Sequence, residues 1–332
     1  MAEHRHTGIG TYSRRDVLLG ALTAGIAATS AHRVAALQAQ AVTAVSFRVP
    51  AGACDCHTHA FGDPQQFPMA PERVYTPGRA TVPQMQALHR ALHTERVVLV
   101  QPSVYGTDNR CTLDAIKQNG SGARGVAVID ATTSDSNLAD LARQGIRGIR
   151  INLEQGGVTD MAVARQRLQA AIDRVKALNW HVEIYARLEF IAGVTEQILA
   201  SPVPIVIDHF ARAAATDGVQ QPGFDLVLRA VRAGHAYVKL SAPYLNSTLA
   251  PDYGDMAPLA KALIGANPDR MLWGSDWPHP DARIVAGRKA TDPAPAYQVD
   301  DGRLLSQLAA WAPDEVTRKK ILVDNPARLY GF

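Results

Sequence analysis

The stretch IRGIRINLEQGGVTDMAVARQRLQAAIDRVKALNWHVEIYA, residues 146–186, reads as strand, helix, strand. Residues 146–153 and 180–186 are short apolar runs of strand length. Between them, residues 160–178 place apolar side chains three and four apart, the period of a helix with one buried face. Two strands joined through a helix are parallel neighbours, because the crossover returns the chain to the same end of the sheet. The alternation continues in both directions. Strand-like runs occupy 53–60, 96–103 and 124–130 upstream, and 204–210, 236–242 and 270–277 downstream. Helix-like stretches lie at 82–93, 108–119, 136–144, 189–200, 223–233, 255–266 and 301–312. Eight strands alternating with eight helices predict an α/β fold, a (β/α)8 TIM barrel. An open doubly wound sheet would need a glycine-rich phosphate turn after the first strand, and CDCHTHAF (54–61) runs on without one.

The chain has 332 residues, 47% hydrophobic and 20% charged, with a formal net charge of +3. That suits one large α/β domain, and the absence of a basic stripe argues against a nucleic-acid partner. Residues 1–41 read differently. Ser13-Arg14-Arg15 precedes an apolar run from Val17 to about Ala31, and Ala39-Gln40-Ala41 follows. This predicts a signal peptide of twin-arginine type, recognised by the Tat export machinery, with a mature periplasmic barrel at 42–332. The apolar run is too short and too rich in Ala, Gly and Thr for a stable membrane span. Of three cysteines, Cys54 and Cys56 are poorly placed to bridge each other, so buried thiols are expected here and at Cys111.

Strand alternation puts Asp55, His57 and His59 on one face. Two imidazoles there can grip a metal ion or donate hydrogen bonds to one developing negative charge. In a barrel the C-terminal strand ends converge on one mouth. Those ends carry His57 and His59, Ser103, Arg150 and Asn152, Tyr185, His209, Lys239 and Ser241, and Asp276. A barrel without function would show Val, Ile and Leu in these places. His89 and His93 fall on a surface helix, and His181 and His235 at strand starts, where no role is expected. The long loops 62–81 and 278–300 both follow strands and belong at the mouth.

These ends resemble the amidohydrolase superfamily. The matching residues are His57-x-His59 on the first strand, DHF with His209 on the sixth, and WGSDWPHP with Asp276 on the eighth. FPMAPERVYTP (67–77), VQPSVYGTDN (100–109), GIRINL (148–153) and NPARLYGF (325–332) resemble the amidohydrolase-related (amidohydrolase 2) branch of 2-pyrone-4,6-dicarboxylate lactonases. The resemblance implies a hydrolase opening a lactone or similar cyclic ester. Asp276 would activate water as general base, and His57, His59 and His209 would stabilise the oxyanion. It also implies a substrate wall of Tyr75, Ser103, Arg150, Tyr185 and Arg212. Arg150 suits one substrate carboxylate, because its planar fork matches a carboxylate.

Departures from that branch are equally informative. LEQGG (153–157) and SAPYLNS (241–247) lack the arginines that would clamp a dicarboxylate. The expected substrate is therefore a different small molecule, an acidic or hydroxylated lactone, with Asn152, Tyr244 and Asn246 available to hydroxyls. Superfamily members commonly bind a divalent ion, whereas this branch works without one, so no metal is expected to be required. If one binds, zinc on His57, His59 and Asp276 is the chemically sensible choice. The alternatives are a metal-dependent decarboxylase of an aromatic or unsaturated acid, a lactone isomerase using the same base, and an inactive ligand-binding barrel.

Overall fold

The computed structural model describes residues 43–155 and 157–332; the expected signal peptide lies outside them. Among the described residues the strands are β1 (Cys54–Thr58), β2 (Thr76–Pro77), β3 (Arg96–Val100), β4 (Ala123–Ala127) and β5 (Ile146–Asn152). They continue with β6 (His181–Tyr185), β7 (Ile205–Ile207), β8 (Ala236–Leu240), β9 (Met271–Trp273) and β10 (Pro293–Ala294). Eight of these form one parallel sheet in the order β1-β3-β4-β5-β6-β7-β8-β9, the (β/α)8 barrel anticipated from the alternation. The sheet closes through backbone bonds beyond β9. Asp276 N donates to His57 O at 2.8 Å, and His59 N donates to Trp277 O at 2.8 Å. Gly274 allows this approach, since a Cβ there would stand 2.7 Å from the Cβ of His57.

The helices lie where the periodicity puts them: Val82–Leu92, Arg110–Asn119, Asp135–Arg143, Met161–Val175, Phe224–Arg232 and Ala257–Ala266. Two expected helices are each split, into Leu188–Gly193 with Thr195–Ala200, and Asp301–Ser306 with Leu308–Trp311. The sequence reading missed the C-terminal segment. There Glu315–Lys319, a wide turn Lys320–Asp324 and Asn325–Tyr330 close the barrel floor. Tyr330 is fully buried against Cys54, Cys56, Val98, Val126 and Leu272, and Asn325 Nδ2 donates to Met271 O at 2.8 Å. All three cysteines are buried free thiols.

Two local features reshape the mouth. Within the long loops, β10 pairs in parallel with β2, tying one loop to the other. In β1 the register against β3 runs Cys54↔Arg96, Asp55↔Val97, then Thr58↔Leu99, three residues opposite two. This bulge resets the alternation. It corrects the expectation that Asp55 shares a face with His57 and His59. Asp55 faces away from the mouth, accepting from Ser275 Oγ at 2.6 Å and lying 3.2 Å from His89 Nε2. His89 is accordingly buried rather than a surface residue.

Candidate active site

The barrel seam builds the reactive corner. Asp276, three residues past β9, has φ of 62°, a left-handed conformation that non-glycine residues adopt at a cost, typically at functional sites. Its Oδ1 lies 3.4 Å from His57 Nε2 and 3.5 Å from His59 Nε2. Tyr244 donates its hydroxyl proton to Oδ2 at 2.5 Å. His59 Nδ1 lies 2.8 Å from Val100 O, which can only accept, so that nitrogen carries a proton and Nε2 faces the carboxylate. Burial alone would raise the Asp276 pKa, but the surrounding His209, His59 and His57 outweigh it. They hold the carboxyl well below the usual range, ionised at any working pH.

Behind Tyr244 the donors and acceptors can be ordered. Its one proton is on Asp276, so its oxygen accepts from His279 Nδ1, 3.4 Å away. His279 Nε2 stands 3.0 Å from Asp301 Oδ2. Asp301 and Asp276 raise the His279 pKa against the effect of burial. This buried chain fixes the orientation of the Asp276 carboxylate.

The other edge of His57 meets an ionic cluster inside the barrel. Lys239 Nζ is 3.0 Å from His57 Nδ1 and pairs closely with Glu183. Asp208 Oδ1 is 3.3 Å from the same His57 nitrogen. Arg150 reaches Asp208 Oδ2 through Nε at 3.0 Å and Nη2 at 2.9 Å. Burial opposes ionisation of Asp208, but Lys239 and Arg150 hold it well below the ordinary carboxylate range. His57 is depressed well below its usual value by burial and by Lys239, and burial lowers His209 to about 4. Both imidazoles are neutral at pH 7. His209 is aimed by Ser241 Oγ, 2.8 Å from its Nδ1, and by a left-handed turn over His209, Phe210, Ala211 and Arg212 with φ of 51°, 54°, 57° and 56°.

Above this corner opens a cavity of about 540 Å³. His59, His209 and Asp276 line it, as do Tyr75, Ser103, Arg150, Tyr185 and Arg212, all expected from the sequence. His57 lies beneath the lining, fully buried. The Tyr185 ring is edge-on to His209, centroids 5.4 Å apart, with the Arg150 guanidinium 5.0 Å from its centre. Asn152 is turned to a neighbouring, mainly apolar cavity of about 700 Å³ that shares Ser103 and Arg150 but holds none of the histidines. Tyr244 and Asn246, expected to meet hydroxyls, are already engaged: Tyr244 with Asp276, Asn246 with His209 O and Arg212.

The sequence reading missed Glu183, Asp208, His279 and Asp301. Glu183 had a signal, since it stands two residues before Tyr185 on the inward face and in register with Arg150. Asp208 adjoins His209 and falls on the same strand end. His279 had a signal too, standing in the WGSDWPHP stretch three residues past Asp276; Asp301 carried none, because only the fold brings it to His279.

The donor set also fits a divalent ion. His57, His59 and Asp276 bring ligand atoms within 4.8 Å of one another, as do His57, Asp208 and His209. His57 Nε2 is buried with no hydrogen-bond partner among the described residues, the condition of a nitrogen kept for a ligand.

Comparison with known proteins agrees with this geometry. Residues 54–332 match the family model described as amidohydrolase. A 2-pyrone-4,6-dicarboxylate hydrolase of Comamonas testosteroni is 37% identical over 86% of this chain and 92% of its own length. A 4-sulfomuconolactone hydrolase of Rhizobium radiobacter is 35% identical, covering 86% and 92%. A D-galactarolactone isomerase of Agrobacterium fabrum is 29% identical, covering 87% and 94%. The crystal structure of a probable 2-pyrone-4,6-dicarboxylic acid hydrolase from Acinetobacter baumannii, with citric acid bound, superposes with a TM-score of 0.69 at 27% identity, covering 85% of this chain and all of that one. With the barrel, the strand-end histidines and the matched length taken together, this chain belongs to the amidohydrolase family and is a hydrolase.

Proposed function

We propose that this hydrolase opens a lactone or a similar cyclic ester. The observation that carries the reading is an ionised carboxylate, Asp276, set within 3.4 and 3.5 Å of two imidazoles on the floor of a cavity. The names of the relatives, all lactone enzymes, support the substrate class. A water held by Asp276 attacks the acyl carbon, and its proton passes to the carboxylate. The carbonyl oxygen becomes an oxyanion among His57, His59 and His209, which stabilise the charge in a water-poor corner. The acyl–oxygen ring bond then breaks, and Asp276 returns the proton to the departing alkoxide, giving the hydroxy acid. A carboxylate with so depressed a pKa is a weak base, so it passes the proton on within the same turnover. Tyr75, Ser103 and Tyr185 orient the ring, and Arg150 and Arg212 shape the wall behind it.

His57, His59 and Asp276 are the residues that would hold a divalent ion, and zinc there would polarise the carbonyl as a Lewis acid. In our reading the reaction does not require it. We also propose export by the twin-arginine route, on the strength of Arg14-Arg15 and Ala39-Gln40-Ala41. The deciding experiment screens purified protein, with its metal content measured, over a panel of lactones and identifies the products. Ring-opened hydroxy acid from metal-free protein supports the reading. A rearranged lactone as sole product would make it an isomerase, and decarboxylation only with bound metal would overturn lactone hydrolysis.

A further inference from the structure

We infer that Glu154 sets the charge preference of the cavity, and that the site takes a lactone whose remote substituents are neutral hydroxyls rather than carboxylates. This rests on the lactonase reading above and deepens it. Among the described residues three guanidiniums line the cavity, those of Arg150, Arg212 and Arg283. Each already holds a carboxylate of the chain. Arg212 meets Glu154 with both prongs of its fork, Nε to Oε2 at 3.0 Å and Nη2 to Oε1 at 2.9 Å. Its remaining nitrogen, Nη1, donates to Leu245 O at 2.6 Å and to Asn246 Oδ1 at 3.0 Å. Arg283 meets Asp281 in the same two-pronged way, at 2.7 and 3.0 Å. Arg150 directs Nε and Nη2 to Asp208, at 3.0 and 2.9 Å.

The fork that reads a substrate carboxylate is therefore filled from within on Arg212 and Arg283, and Arg150 has two nitrogens committed. Asp276, ionised on the cavity floor beside Tyr244, adds a negative charge that repels a second anion across a partly desolvated cavity. Neutral polar groups at the same wall, the hydroxyls of Tyr75, Ser103 and Tyr185, suit hydroxyl-bearing rings. Glu154 lies just beyond β5, in the LEQGG stretch, and its negative charge cancels Arg212.

The test compares D-glucono-1,4-lactone with D-glucaro-1,4-lactone, the same ring ending in a hydroxymethyl group or in a carboxylate. Wild type, Glu154→Gln and Glu154→Asp are assayed for kcat/KM on both. The wild type favours the neutral member. Glu154→Gln releases the Arg212 fork and raises the acid-to-neutral ratio by about tenfold or more, mainly through KM, while Glu154→Asp, which keeps the charge, stays near the wild-type ratio. A wild type favouring the acid, a ratio in Glu154→Gln within about twofold of wild type, or equal shifts in both variants overturns the inference. If neither lactone is turned over, calorimetric binding of the same two molecules decides it. Tightening of the carboxylate alone in Glu154→Gln sustains the charge assignment though lactone hydrolysis fails, and binding of neither molecule overturns it.

Discussion

Replacing Asp276 with Asn tests the centre of the mechanism with little change of shape. The amide keeps the volume and can still accept from Tyr244, but it takes no proton from water. Loss of a general base costs about a hundredfold to ten-thousandfold, or about 2.7–5.4 kcal/mol of barrier at 1.36 kcal/mol per tenfold. The structure argues for the upper half of that range. His57 and His59 each set Nε2 towards Asp276 Oδ1, at 3.4 and 3.5 Å, so removing the anion alters the electrostatic setting of the oxyanion-stabilising imidazoles as well as removing the base. We expect kcat to fall by about a thousandfold or more while KM changes by less than about threefold, because the substrate wall is untouched. A pH-stat assay at pH 7, following acid release from the preferred lactone, measures both. Thermal unfolding of the variant checks that the fold is intact. A folded Asn variant with kcat within about tenfold of wild type would refute the assignment of Asp276 as the base.

Three further outcomes are expected. Arg150→Lys keeps a charge but loses the paired approach to Asp208, so it should lower Tm and reduce activity alike on acidic and neutral lactones; a loss confined to acidic substrates would show that Arg150 holds a substrate carboxylate. His181, buried beside Tyr330, has its pKa lowered by burial to about 3. The unfolded chain therefore binds this proton first, and stability fades as pH falls from about 6.5 towards 3. His181→Phe should recover about 3 kcal/mol of the wild-type loss between pH 7 and 4, read from urea midpoints; an unchanged acid dependence counts against it. N-terminal sequencing of the native protein should start near Val42, and an intact Met1 or Ala2 would exclude the proposed processing.

The sequence alone determined the barrel and the chemistry-bearing strand ends. Strand and helix periods are local steric properties, so IRGIRINL, the 160–178 stretch and WHVEIYA could be read without knowing their neighbours, and the structure places β5, Met161–Val175 and β6 there. His57, His59, His209 and Asp276 were legible because the ends of parallel barrel strands must share one mouth. Partnership was not legible. Lys239 meets His57 across 182 positions, Arg150 meets Asp208 across 58, and Glu154 meets Arg212 across 58. Nothing local announces which charge faces which; strand order and register decide it. The β1 bulge is the sharpest case, since one unpaired residue turned Asp55 away from His57 and His59 towards His89 and Ser275. That residue is accommodated by the packing of β1 between β3 and the closing seam, which no short-range pattern encodes.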